Sequence, residues 1–222
     1  MYSLVCLILL VTVGGGAQDT DDARALLQKA ESLARSVKSW RAEIVTTSQI
    51  SGNGMDLQSR VRVKIATQAP LKMRRENSGD DQTVLVCDGA ESFYTGDGHN
   101  YYRNSAKANQ ACNFPLGSSY QLAKDAVSIS SAGHDHVVLA DGNHACDVVR
   151  AEWKVAAGRS VRTMCIDPIS GLILRDVTEI NGESMRSVTT ATFTSYEGNP
   201  KFPPDTFKFS IPPGAVEAKP PI

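Results

Sequence analysis

The sequence predicts a mainly β protein of the α+β class, in which one N-terminal helix precedes a long antiparallel sheet that curls into a half-open barrel. Three observations predict this fold. An apolar stripe with helical spacing occurs once, in residues 19–40. Alternation of apolar and polar residues with a period of two fills most of the remaining chain. Short segments rich in Gly, Asn, Asp and Ser separate the alternating runs, as in hairpin turns.

The composition and net charge of the chain argue against a nucleic-acid-binding protein. The chain has 222 residues, with 23 Lys+Arg against 24 Asp+Glu and a net charge of -1. A nucleic-acid-binding protein normally has a basic surface, so we expect no nucleic-acid partner. We find no linker and no repeat of fixed period, and residues 18–222 are expected to form a single domain, most simply a monomer.

The N-terminal segment is typical of an export signal. Residues 4–13 form an apolar run of ten residues, too short to span a bilayer, and small residues follow at 14–17. We therefore expect residues 1–17 to be a signal peptide, cut between Ala17 and Gln18, and the mature protein to be soluble in the periplasm or otherwise exported. The alternative is an uncleaved anchor or a buried helix.

The helix is expected over Asp19 to Trp40. Acidic residues favour its N-terminus, and Thr20 can cap it. The apolar residues recur every three or four positions and form one stripe: Ala23, Leu26, Leu27, Ala30, Leu33, Ala34 and Val37. A sheet follows in the sequence, so the stripe is expected to pack on that sheet.

About eleven to thirteen strands are expected after the helix. The alternating runs cover residues 40–50, 55–65, 70–76, 82–87, 91–95, 100–103, 127–131, 136–140, 144–155, 161–167, 172–180, 184–196 and 207–211. The short connections predict antiparallel pairing throughout nearly all of the sheet.

Asn104 to Asp125 interrupts the alternation. It is rich in Ala, Ser and Asn, and Tyr120 to Asp125 could form one or two helical turns. We interpret this segment as a short helical lid on the concave side of the sheet. A plain surface loop held by Cys112 is an equal alternative.

Four cysteines remain after the signal peptide, and an even number in an exported protein indicates disulfides. Four cysteines allow three pairings. A hairpin of residues 144–155 and 161–167 would bring Cys146 opposite Cys165, which leaves Cys87 with Cys112. A metal site is the alternative, because His144 is two residues from Cys146 and His134-Asp135-His136 is nearby, but no CxxC or HExxH spacing supports it.

The sequence lacks the motifs of the common enzyme classes. It contains no GxSxG elbow, no phosphate-binding loop and no dinucleotide fingerprint. Asp167 lies in a turn-like stretch, and His134 and His136 fit an exposed edge or loop. We therefore expect no catalytic residue, no metal and no cofactor, and a curled sheet with one apolar face favours binding over turnover.

The order of several segments resembles the LolA/LolB–RseB superfamily of outer-membrane lipoprotein carriers and lipoprotein-sensing domains. The similar segments are the amphipathic helix running into Val37–Glu43, the strand Pro70–Glu76, Val84–Gly89 with Ser92–Tyr94, Cys165–Asp176, and Phe193–Tyr196 with Phe202–Gly214. The resemblance implies a half-open barrel, with helices over its mouth and a cavity for acyl chains.

On that basis we expect the partners to be acyl chains of lipids or lipoproteins, with a membrane-bound donor or acceptor protein as a further possibility. The expected lining residues are Ile44, Met55, Leu57, Val61, Val63, Ile65, Leu71 and Met73. The same residues could instead be core beneath the helix. The alternative function is a non-enzymatic sensor or scaffold that binds a protein partner through the same barrel.

Overall fold

The computed structural model describes residues 16–96, 98–113, 126–156 and 158–219. Residues 1–15 of the expected signal peptide and residues 114–125 of the expected lid lie outside this part of the chain, so both expectations stay predictions. The described part of the lid segment forms the end of a strand, a turn and one short 3₁₀ helix.

The described residues form one α-helix, one 3₁₀ helix and twelve strands. The helix α1 spans Gly16–Ser36, and the 3₁₀ helix spans Gln110–Asn113. The strands are β1 (Ser39–Gly52), β2 (Met55–Gln68), β3 (Lys72–Gly79), β4 (Val84–Asp88), β5 (Glu91–Thr95), β6 (Asn100–Ser105), β7 (Ser128–Leu139), β8 (Gly142–Val155), β9 (Gly158–Ile166), β10 (Ile173–Asn181), β11 (Met185–Gly198) and β12 (Val216–Ala218). They form one open, curved sheet in the order β12-β6-β5-β4-β3-β2-β1-β11-β10-β9-β8-β7.

The mainly β architecture with one N-terminal helix is confirmed, with two corrections to the strands. The two runs expected at 127–131 and 136–140 are one strand, β7, with a bulge between Ser131 and His134. The last strand is not at 207–211 but at β12, where it pairs parallel to β6. Pro203 and Pro204 precede the run at 207–211, and Pro212 and Pro213 follow it. Prolines lack the amide hydrogen that a ladder requires, which explains why the run between them stays irregular.

Strand register divides the central sheet into two faces. Ala42 lies opposite Ile65, Ile44 opposite Val63, and Thr67 opposite Met73, so these residues share what we call the Val63 face. The residues between them, such as Glu43 opposite Lys64, share the reverse side, which we call the Lys64 face. The Val63 face is apolar and the Lys64 face is charged because side chains alternate along each strand.

Two clusters of buried side chains form the core. The first joins the middle of the sheet to the end of α1 and includes Trp40, Ala42, Val63, Ile65, Met73, Cys87, Cys112, Cys146, Cys165 and Leu174, with Leu33 and Val37 packed against it. The second lies under the helix and includes Ala23, Leu27 and Ala30 with Ile129, Val149, Ala151, Met164, Ile166 and Ile173. The helical stripe is therefore buried on the sheet, as the spacing predicts.

Both disulfides lie within the core. Cys146 bonds to Cys165 between β8 and β9, with a Cα–Cα distance of 5.3 Å, and Cys87 bonds to Cys112 with a Cα–Cα distance of 5.8 Å. This is the pairing that the hairpin spacing predicts. The second bond ties the 3₁₀ helix to β4 and so holds the chain after β6 against the sheet.

After β11 the chain crosses the sheet as an irregular strap, residues 199–215. The amide of Asn199 donates to the carbonyl of Ser39 at 2.9 Å, and the Arg74 guanidinium donates to the carbonyl of Lys208 at 3.2 Å. Further along, Phe209 stacks on Phe93 with ring centroids 5.0 Å apart. Because Arg74 and Phe93 lie on the Lys64 face, the strap covers that side of the sheet.

Gly52 marks a point of close approach between hairpins. Its φ is +136°, and a Cβ there would lie 2.1 Å from the carbonyl oxygen of Ser184. Gly142 has a similar φ of +140° but open space around it. We expect Gly52→Ala to lower the free energy of unfolding by about 1–3 kcal/mol more than Gly142→Ala, since only the first adds a backbone clash to the unfavourable φ. Denaturant titration of both variants measures the difference, and equal losses would contradict the close approach.

Candidate functional site

The residues expected to line an acyl site come together on one side of the sheet. Register places Ile44, Met55, Leu57, Val61, Val63, Ile65 and Met73 on the Val63 face. The eighth, Leu71, packs against the first core cluster. Period-two alternation alone was enough to predict this shared side.

Burial divides this set into an inner and an outer part. The inner part is formed by Val63, Ile65 and Met73, which are buried in the first core cluster beside Trp40. At the other end of the same face Leu57 is 57% exposed and Met55 is 49% exposed. The outer part of the Val63 face is therefore the part accessible to a ligand.

Further apolar side chains extend this outer part across the neighbouring strands. Register places Leu57, Ile50, Ile180 and Trp153 in one row, and Met55, Met185 and Val155 in the next row toward the hairpin tips. We call these seven residues the tip patch. Five of them were not among the lining residues expected from the sequence: Ile50, Trp153, Val155, Ile180 and Met185. Alternation in β8, β10 and β11 was visible, but the relative order of the hairpins was not.

A polar row lies between the tip patch and the core. Thr178, Thr189, Ser48 and Ser59 follow one another across β10, β11, β1 and β2. The hydroxyls of Ser48 and Thr189 are 3.2 Å apart and hydrogen-bond. Next to this row the Arg162 guanidinium pairs with Asp176, and both side chains are largely buried. A ligand on this face would meet apolar groups first and hydrogen-bonding groups deeper.

The Lys64 face carries a different site beneath the strap, which we call the strap groove. It has a volume of about 600 Å³. Three ion pairs lie along it: Arg41–Glu197 at 2.5 Å, Arg74–Glu76 at 2.6 Å and Lys64–Glu43 at 3.6 Å. Phe202, Pro203 and Thr206 of the strap form its other wall. Charged residues alternate along β1–β3 in the sequence, but nothing there shows that the strap returns to cover them.

The histidines considered as metal ligands each lie beside an aspartate. His134 Nδ1 is 2.7 Å from Asp147 Oδ1, and His144 Nε2 is 2.9 Å from Asp141 Oδ1. The hydrogen bond with His144 lowers the pKa of the Asp141 carboxyl. Within the described ranges, no group of three or more His, Cys, Asp or Glu side chains could hold a metal ion.

In the part of the chain that the structure covers, no helix combines the length and the hydropathy needed to cross a bilayer.

Comparison with known proteins yields similarity to solved structures only. No family model and no curated protein matches the sequence. The chain is similar to MucB in the Pseudomonas aeruginosa MucA/MucB complex, with 18% identity and a TM-score of 0.43 over 85% of this chain and 61% of that one. It thus spans about three fifths of the length of the MucB chain.

Two further solved structures show the same level of similarity. The lipoprotein LppX of Mycobacterium tuberculosis has 10% identity and a TM-score of 0.42, over 82% of this chain and 98% of that one. A LolA superfamily protein of Nitrosomonas europaea has 9% identity and a TM-score of 0.38, over 84% of this chain and 97% of that one. The last of these structures is described as a member of the superfamily that the sequence segments resemble.

Proposed function

We propose that the chain is an exported, non-enzymatic binding protein that holds acyl chains of lipids or lipoproteins on the Val63 face. The observation that carries this proposal is the exposure of Met55 and Leu57 at the outer end of a face whose inner end is apolar core. In this proposal the ligand enters over those two side chains and reaches Val61 and Ile44. Val63, Ile65, Leu71 and Met73 form the inner limit of the site.

The energetics of acyl transfer favour such a surface. Each CH₂ group that leaves an apolar environment for water loses about 0.8 kcal/mol of favourable transfer free energy. A carrier must therefore keep most of the chain in contact with apolar side chains. Methionine suits this role because its unbranched, polarizable side chain adapts to ligands of different length.

A matched pair of variants tests the proposal. Leu57→Asp places a charge on the Val63 face, whereas Gln58→Asp places the same charge one residue away on the Lys64 face. We expect Leu57→Asp to weaken binding of a fluorescent fatty acid about 10- to 100-fold, because the burial of one leucine is worth about 1.5–3 kcal/mol. Gln58→Asp should bind like the wild type.

The outcome against the proposal is equally specific. Wild-type protein that shows no saturable binding of the fluorescent fatty acid, or equal affinities for the two variants, contradicts an acyl site on this face. Native mass spectrometry of protein exported by its producing cell adds a second readout. A species that begins at Gln18 and carries bound lipid would support acyl binding. It would also support the proposed removal of residues 1–17 and an exported, periplasmic single domain.

The strap groove favours a second candidate, a sensor or scaffold module that binds a protein partner. Its three ion pairs offer donors and acceptors along one channel, as a polar peptide segment requires. A lipid-free protein that co-purifies with a stoichiometric partner, and that loses the partner in Phe202→Ala but not in Leu57→Asp, would favour this candidate over the carrier.

A further inference from the structure

Three hairpins end side by side at one end of the sheet. They join β1 to β2, β10 to β11, and β8 to β9, and their strands are neighbours in the sheet order. Gly52 packs against Ser184 of the second hairpin, and Gly158 packs against the carbonyl of Asn181, where a Cβ would lie 2.2 Å from the oxygen. The glycines thus allow the three tips to form one continuous edge.

This edge is apolar on one side. The tip patch occupies the last two rows of the Val63 face, and its outermost members project from all three hairpins. Met185 is 42% exposed and Val155 is 39% exposed, comparable to Met55 in the β1–β2 hairpin, which is 49% exposed. Trp153 packs against the second core cluster, so the patch is continuous with the core under α1.

Two ion pairs of the same edge lie on the Lys64 face. Arg186 donates to Glu179 at 3.0 Å, and Arg159 pairs with Glu152. Arg159 and Glu179 also lie on that face by register, as partners of Lys154 and Val188. The edge is therefore amphipathic, with apolar side chains on one side and ion pairs on the other.

We propose that the tip patch docks this protein on the surface of a lipid bilayer. The amphipathic edge fits the boundary between water and hydrocarbon, where the tips can bury apolar side chains while the ion pairs stay hydrated. A protein partner fits less well, because four side chains that are 39–57% exposed offer far less than the roughly 800 Å² that each partner buries in a standard interface.

The proposed docking rests on the proposed function, because it would give an acyl-binding protein direct access to lipid. Leu57 belongs both to the tip patch and to the proposed acyl site, so a chain leaving the bilayer can pass onto the Val63 face without crossing water. Because the attachment rests on contacts of apolar side chains, it should depend little on anionic lipid or on salt.

Flotation of the full chain with phosphatidylcholine vesicles tests the proposal. We expect wild-type protein to float with the vesicles at both 0.1 M and 1 M NaCl. The double variant Val155→Asp/Met185→Asp should lose at least tenfold in partitioning, because two side chains that enter the interface become charged. The control is Asn53→Asp/Gln58→Glu, which adds the same charge to the same edge outside the tip patch and should float like the wild type.

Three results would overturn the docking. They are wild-type protein that stays with the aqueous fraction, a double variant that floats as well as the wild type, and flotation that requires anionic lipid at low salt. Circular dichroism of each variant checks that it is folded. Val155 and Met185 lie outside the proposed acyl lining, so fatty-acid binding by their variant reports on the proposed function separately from docking.

Discussion

Replacing Trp40 by alanine is expected to lower the free energy of unfolding by about 3–5 kcal/mol, the cost of removing a large aromatic side chain from a packed core. Trp40 is only 3% exposed and lies in the first core cluster with Ala42 and Ile65. It stands where the chain leaves α1 and enters β1, so its loss opens a cavity between helix and sheet. Denaturant unfolding followed by circular dichroism measures the change without relying on tryptophan fluorescence.

The chain's second tryptophan provides the control. Trp153 is only partly buried and lies in β8 near the hairpin tips, at one end of the sheet. Trp153→Ala removes the same atoms from a site that solvent can fill, and its destabilisation should be less than half as large. Comparable losses for the two variants would contradict the placement of Trp40 in the packed core.

Removal of the Cys146–Cys165 disulfide is the second large effect expected. The two residues are 19 apart in sequence, and closing a loop of this length restricts the unfolded chain by about 3 kcal/mol. We expect Cys146→Ala/Cys165→Ala to lose about that amount under oxidising conditions. Since both sulfurs lie in the core, the alanine replacements also remove packing contacts.

Reductant separates the cross-link from the packing. Wild-type protein unfolded with excess dithiothreitol loses the same loop constraint, so the difference between wild type and variant should shrink to the packing contribution. A variant as stable as oxidised wild type would show that the cross-link does not stabilise the fold. The Cys87–Cys112 bond, with a separation of 25, gives an independent comparison of similar expected size.

Much of the sheet could be predicted because the responsible interactions are local. Side chains alternate with a period of two, so Met55, Leu57 and Val63 had to share a face once β2 was extended. Short turns such as residues 51–54 determine which strands are neighbours. The same locality explains why Cys146 opposite Cys165 could be predicted within one hairpin.

The candidate site was predicted less completely because exposure along a strand depends on what covers it. Alternation along β2 predicts the same face for Leu57 and Ile65. Leu57 is nevertheless exposed, whereas Ile65 is buried by elements distant in the chain. Val155 and Met185 were missed because their proximity to Met55 requires the order of three hairpins. The parallel pairing of β12 with β6 was missed because no local turn connects them.

By itself the sequence determined the helix stripe, the two faces of each strand and the hairpin partners, since these follow from side-chain period and turn chemistry over a few residues. Only the tertiary structure decided which part of the Val63 face is core and which part is open. It also decided that the strap closes a groove on the Lys64 face. Those outcomes depend on contacts between segments more than a hundred residues apart, such as the hydrogen bond between Arg74 and Lys208. A local sequence pattern cannot predict such contacts, because it extends over only a few residues.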